Sequence, residues 1–285
     1  MPVRNSAGRL ILFCFLVCAP PLAAQTPLPA QARDEPPPIE DNSFLIEEAY
    51  NQGPGVVQHI NTFMHATRGA AWVYTFTQEW PLGGQRHQLS YTIPLARIDD
   101  AAARETGLED VAINYRLQLG GGEHPLALAP RLSVLLPTGE SRRALGSGGT
   151  GIQVNLPFSA VLPARFVAHS NAGMTYTPRA RDISGNQAAT RSYMLGQSVI
   201  WLAHPKLNLM LESIWTAEDQ VAGRGQTERS TEFLLSPGLR AAIDFPSGLQ
   251  IVPGLAFPFG IGSSRGARAI FVYLSFEHNF SSTAR

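Results

Sequence analysis

Residues 269–280 read A-I-F-V-Y-L-S-F-E-H-N-F. Every second side chain from Ile270 through Val272, Leu274, Phe276, His278 and Phe280 is mostly apolar. Between them stand Phe271, Tyr273, Ser275, Glu277 and Asn279, a mixed set. A period of two belongs to a strand with two unlike faces. Many bacterial outer-membrane barrels end on such a strand with an aromatic residue. If the pattern repeats along the chain, the fold is a membrane barrel and not a soluble enzyme.

Composition agrees with that direction. The chain has 285 residues, of which 44% are hydrophobic and 15% charged. The charged share is well below the usual ~25% of a soluble domain. Formal net charge is +0, which argues against a nucleic-acid partner. The body holds no run approaching the roughly 18 apolar residues of a membrane helix.

Residues 1–24 read as a signal peptide. Arg4 and Arg9 supply the positive start, 10–17 the short apolar core, and 19–24 a small-residue exit with cleavage expected after Ala24. Pro20 and Pro21 break the apolar run, which is too short for a membrane anchor. Cys14 and Cys18 both lie inside this signal. The mature chain therefore has no disulfide, cysteine metal site or cysteine nucleophile. Residues 25–54 form a proline-rich leader followed by S-F-L-I-E-E-A-Y-N-Q at 43–52, a possible short plug or latch helix ended by Gly53-Pro54-Gly55.

Residues 55–280 are expected to form the barrel, and 281–285 a polar tail. Twelve strand candidates follow from alternation: 56–65, 70–81, 87–98, 108–119, 125–136, 151–159, 165–177, 192–203, 207–216, 231–245, 249–258 and 268–280. In the fourth, Val111, Ile113, Tyr115 and Leu117 oppose Ala112, Asn114, Arg116 and Gln118. In the fifth, Leu126, Leu128, Leu132 and Val134 oppose Ala127, Ala129, Arg131 and Ser133. Facing in the first and eighth is ambiguous. Short connections at 82–86, 120–124, 160–164, 204–206 and 246–248 alternate with long ones at 99–107, 137–150, 178–191, 217–230 and 259–267. Outer-membrane barrels have short periplasmic turns and long outer loops. An even strand count puts both ends of the barrel on the periplasmic side.

A soluble lipocalin-like barrel or a two-sheet sandwich also alternates, but places polar residues outside. Here the apolar face carries no Lys, Arg, Asp or Glu wherever facing is clear, and the opposite face is small and modestly charged. Lipid contact accounts for this, because a Lys or Arg at mid-depth costs about 2–4 kcal/mol. Trp72, Trp80, Tyr176, Trp201, Trp215, Phe257 and Phe280 fall near the expected interfaces. The fold class is therefore all-β: a transmembrane antiparallel up-and-down barrel of about twelve strands, with a short N-terminal helical or extended segment.

Residues 43–52 followed by G-V-V-Q-H-I (55–60), G-L-E-D-V-A-I-N-Y-R-L-Q-L (107–119) and L-L-P-T-G (135–139) resemble the family named for the meta-pathway of phenol degradation. The resemblance covers nearly all of 43–280. It implies an outer-membrane barrel that transports small, frequently aromatic or hydrophobic compounds, and it does not imply phenol as the solute. In most such barrels the aromatic residue is terminal, whereas 281–285 follow Phe280 here.

The candidate site is the lumen. Facing places Glu79, Asn114, Arg116, Arg131, His169, Asn171, Glu212, Arg240, Asp244, Tyr273 and Glu277 inward. Their charges either pair across a narrow bore or set the selectivity of a pore. His169-Ser170-Asn171 invites comparison with the outer-membrane phospholipase, but adjacent residues point to opposite faces. Asn171 shares the His169 face, and no serine joins them locally. The seven histidines are scattered, with no pair at ligand spacing backed by carboxylates. Residues 145–151, L-G-S-G-G-T-G, lack the Lys and helix of a phosphate loop and read as a flexible outer loop.

The reading is thus a channel for passive uptake or efflux in the outer membrane of a Gram-negative bacterium, with no covalent chemistry and no cofactor. The alternatives are a structural or adhesive barrel without transport and, further off, a membrane lipid hydrolase. Expected partners are outer-membrane lipids and lipopolysaccharide, the β-barrel assembly machinery during insertion, and a small-molecule solute, with no nucleic acid.

Overall fold

The computed structural model describes residues 43–99, 104–121 and 124–279. The signal expected at 1–24, the leader up to residue 42, Phe280 and the tail at 281–285 lie outside the described residues.

Twelve antiparallel strands form one closed sheet. The first three are Val56–Ala66, Trp72–Pro81 and His87–Asp99. The fourth comprises Arg104–Leu108, Val111–Leu117 and Leu119–Gly120. The fifth joins Leu126–Leu128 to Arg131–Leu136, and the sixth joins Gly151–Asn155 to Phe158–Leu162. The seventh to ninth are Phe166–Arg181, Gln187–His204 and Leu207–Gly223. The tenth is Gln226–Ala241 with Ile243–Asp244, and the eleventh Gln250–Ala256 with Phe259–Gly260. The twelfth, Ala269–Asn279, pairs with the first in register from Val56 opposite Asn279 to Ala66 opposite Ala269. That pairing closes the sheet and leaves no free edge. Both ends of the barrel chain lie at the short-turn end, as an even count requires.

The polarity of the wall is inverted relative to a soluble barrel. Leu195 (55% exposed), Leu132 (51%) and Ile152 (53%) point outward, with apolar neighbours on most strands. Gln58, Gln88, Asn114, Arg116, Ser133 and Asn155 are buried inside. In water such a surface would associate; in a bilayer it is the ordinary lipid face. The first and eighth strands, ambiguous by pattern, are settled by closure: Gln58 and Ile60 face in, as do Ser198 and Ile200.

Two expected long loops are mostly strand. Residues 178–191 and 217–230 continue the ladders of the seventh-to-eighth and ninth-to-tenth hairpins, with Ala180 opposite Ala188 and Val221 opposite Thr227. The hydrophobic alternation stops there because these stretches carry charges on their outer face, such as Arg229, whose Nε lies 2.7 Å from Asp219 Oδ1. Backbone pairing does not need that alternation. At the top of the seventh-to-eighth hairpin, the Asn186 side chain and nearby backbone N–H groups hold the Asp182 carboxyl below its ordinary range.

The glycine-rich stretch at 145–151 is also not free. Gly139 N–H (3.2 Å), Ser147 N–H (2.7 Å) and Ser147 Oγ (2.6 Å) all donate to the Asp110 carboxylate, and Leu145 is buried. One side chain thus ties the 137–150 connection down onto the fourth strand.

Candidate functional site

Residues 43–55 run inside the barrel and then become the first strand. They form no helix; of the helical and extended forms expected for this segment, the irregular, extended one is found. The physical reason lies in where its N–H groups go. A helix would satisfy them with carbonyls four residues back. Here side chains on the wall take them instead.

Phe44 N–H (3.0 Å), Leu45 N–H (3.1 Å) and Ile46 N–H (3.3 Å) all donate to Oε1 of Glu212 on the ninth strand, and Leu45 N–H also reaches Oε2 at 3.1 Å. Successive N–H groups converging on one anion make a backbone nest. Glu47 N–H donates to Asn171 Oδ1 (2.9 Å) on the seventh strand, whose Nδ2 returns a bond to Glu47 O (2.7 Å). Ala49 N–H donates to Ser159 Oγ on the sixth strand at 2.7 Å. Asn51 and Gln52 N–H donate to Gln118 Oε1 (2.6 Å) and Gln88 Oε1 (2.8 Å) on the fourth and third. The segment therefore sweeps around the inner wall from the ninth strand back to the first. Polar inner side chains of the ninth, seventh, sixth, fourth and third strands act as its acceptors.

Carbonyls and charges are held as well. Arg116 donates from Nε to Asn51 Oδ1 (2.7 Å), from Nη2 to Tyr50 O (2.6 Å) and from Nη1 to Glu48 O (3.3 Å). Its ion pair with Glu79 is longer, 3.8 Å, so carbonyl capture is the tighter part of its role. Arg131 Nη2 meets Glu47 Oε1 at 2.6 Å and Gln153 Oε1 at 2.8 Å, while Nη1 donates to Asn114 Oδ1 at 2.9 Å.

One apolar anchor fixes the start of the segment. The Phe44 ring lies against Phe271 (5.4 Å between centroids) and Tyr273 (5.2 Å). Its other side rests on Gly238 and Gly254, where an added Cβ would run into the ring. Gly254→Leu is expected to evict Phe44 while leaving the outward face untouched. Protease cleavage within 43–55 of the purified, membrane-inserted protein should rise; an unchanged cleavage rate would mean that the glycine socket does not hold the ring.

Of the residues picked from sequence, Glu79, Asn114, Arg116, His169, Asn171, Glu212, Arg240 and Tyr273 are buried in the interior, with Arg131 and Glu277 partly so. Asp244 departs from the expectation. Strand parity points it inward, but it lies at the strand's end, exposed on the rim, 3.4 Å from Lys206 Nζ and bonded to Gln250 Nε2 at 2.7 Å. Parity fixes a direction only where wall continues on both sides. Gln58, Gln88, Ser159 and the glycine socket lie outside the candidate set, and Gln118 enters the sequence pattern only as a polar-face residue. Their signal was present as polar or small residues at inward positions.

No serine joins His169 from its own strand, but one reaches it from the neighbouring strand. Ser159, its register partner on the sixth strand, places Oγ 2.7 Å from Nδ1. The same oxygen accepts Ala49 N–H, so it bonds the segment and the imidazole at once. The hydroxyl is fully buried beneath the segment and faces away from lipid. Among the described residues, no three His, Cys, Asp or Glu side chains gather at metal-binding distance.

The segment stands between two cavities. One, ≈ 550 Å³, reaches the short-turn end and is lined by Tyr50, Val167, His169, Ile200, Leu202 and Arg240 among others. The other, ≈ 340 Å³, lies on the opposite side against 43–47, with Thr62, Thr75, Thr77 and Thr92 in its wall. Thr62 bonds Thr75 at 2.6 Å and Thr77 bonds Thr92 at 2.9 Å, so this wall is a hydroxyl ladder.

An apolar exterior, a closed twelve-strand wall and a polar bore holding its own chain segment define a transmembrane barrel of the porin-like type. Two solved structures share the fold. An outer membrane channel from Pseudomonas putida F1 superposes with a TM-score of 0.58 at 13% identity, over 81% of this chain and 97% of that one. The NanC porin does so with a TM-score of 0.50 at 8% identity, over 77% and 98%. No curated protein matches the chain. The model of the family described as "Putative MetA-pathway of phenol degradation" matches residues 49–276, and the chain belongs to that family.

Proposed function

We infer that the protein is an outer-membrane channel for passive movement of small, hydrophobic or aromatic molecules, closed by its own residues 43–55. The observation that carries this reading is how the segment is held. Its backbone meets the wall through side-chain hydrogen bonds and one ring socket, so it can leave without breaking a single ladder bond. A structural barrel has no need of so separable a filling. The solute class rests on the family description. It is also supported by the mixed lining of the short-turn cavity, where Val161, Val167, Ile200 and Leu202 lie beside Arg240 and His169. The chain reaches the outer membrane through its cleaved signal and the barrel assembly machinery, and sits among outer-membrane lipids and lipopolysaccharide.

The test is solute flux into liposomes containing the intact protein or a form lacking residues 25–55. The shortened form should admit small aromatic solutes faster than the intact one. No flux in either form would sink the channel and favour the structural or adhesive barrel. The Ser159–His169 bond favours a hydrolase only if lipid cleavage appears and disappears with Ser159→Ala. Its burial under Ala49 argues for a purely positional role.

A further inference from the structure

The barrel closes where the first strand meets the twelfth, and two histidines face each other across that seam on the outer side. His59 lies opposite Phe276 and His278 opposite Val57, so the two are diagonal neighbours at the short-turn end. Their Nε2 atoms are 3.2 Å apart, and their rings are inclined by 20° with centroids 5.3 Å apart. We propose that His59 and His278 form a two-histidine site for a divalent transition-metal ion of the Zn²⁺, Ni²⁺ or Cu²⁺ class, which staples the closing seam.

The separation is the first support. Two nitrogens at 2.0–2.1 Å from a tetrahedral ion stand roughly 3.3 Å apart. The observed 3.2 Å needs only a small rotation of either ring. The same separation lies within hydrogen-bond range, so without an ion one Nε2 donates its proton to the other.

The second support is the other nitrogen of His278. Its Nδ1 lies 3.3 Å from the Asn279 carbonyl oxygen. A proton on Nδ1 donates there and leaves Nε2 with its lone pair directed at His59. Metal-binding histidines are commonly oriented by such a backbone carbonyl. The third is the placing of His59, whose ring lies 6.1 Å from Phe76 and nearly parallel to it. Both imidazoles remain partly exposed on the outer side of the wall, at its short-turn end. Imidazole without carboxylate selects Zn²⁺, Cu²⁺ or Ni²⁺ over Mg²⁺ or Ca²⁺. The two ligands are 219 positions apart in sequence, and only the folded barrel brings them together. An ion bound there stabilises the closed sheet by mass action.

Tag-free, intact protein in detergent micelles is titrated with Cu²⁺ and read by electron paramagnetic resonance, and its heat unfolding is followed on gels with and without Zn²⁺. The expected result is one Cu²⁺ signal per chain with coupling to two nitrogens, and an unfolding temperature raised by Zn²⁺. Both effects should vanish in His59→Gln and in His278→Gln and persist in His204→Gln, which alters an exposed histidine away from the seam. Either seam variant that folds is sufficient, since both side chains point outward. Absence of the two-nitrogen signal in the native protein, or a Zn²⁺ shift that survives His59→Gln or His278→Gln, would overturn the site.

Discussion

Glu212→Ala is expected to raise the undocked fraction of residues 43–55 by about a hundredfold. The carboxylate accepts N–H bonds from Phe44, Leu45 and Ile46 and is fully buried. Bonds to a charged group contribute about 1.5–3 kcal/mol each, and water entering the bore recovers part of what is lost. A net loss of about 3 kcal/mol is a conservative figure, and each 1.4 kcal/mol is tenfold in the equilibrium. The wall itself should stand. Glu212 pairs across the ladder with Ser198 and Ser236, and those backbone bonds do not involve the carboxylate. Single-channel recordings in planar bilayers would show frequent open events in the variant and rare ones in the native protein. Glu212→Gln keeps one acceptor oxygen and should fall between them. Native-like recordings from Glu212→Ala would show that the carboxylate clasp does not hold the segment.

Arg116→Ala acts on the wall and the segment together. The guanidinium is 3% exposed, captures Tyr50 O, Glu48 O and Asn51 Oδ1, and balances Glu79. Its removal leaves Glu79 buried without that cation, with the Gln88 amide (2.8 Å) still donating to it. Breaking a buried charge pair by deleting one partner costs about 3–5 kcal/mol, chiefly because of the orphaned charge. Urea unfolding of the variant in micelles should show a loss of that order. Adding Glu79→Gln removes the orphan and should recover a good part of it. If the double variant is no more stable than Arg116→Ala alone, the orphaned carboxylate is not the source of the loss.

The facing of the wall was legible in the chain wherever alternation was clean. Leu132 and Arg131 differ by one position and by nearly everything else, and the pleat alone sends one to lipid and the other inward. The strand count was legible for the same reason, helped by turns at the short end. Heights were not. Residues 178–191 and 217–230 look like loops because the bilayer has stopped imposing apolar side chains, although the hairpins continue to pair. Asp244 was misplaced because parity says nothing about where the bore ends. The choice between a helical and an extended form at 43–52 was not legible, because local signals cannot anticipate acceptors arriving from elsewhere.

Those acceptors mark the division between the two sources of information. Period-two polarity is local: each strand carries it, and a bilayer reads it the same way in every strand. The apolar exterior, the polar bore and the closed ring of strands therefore follow from the residues in order. The filling of the bore does not. Phe44 meets Glu212 across 168 positions, and Asn51 meets Arg116 across 65. Closure alone sets those distances, and closure also brings His59 to His278 at the seam. The terminal strand 269–280 announced a barrel by its alternation. Which groups that barrel brings face to face was decided only when the strand found the first one and shut the ring.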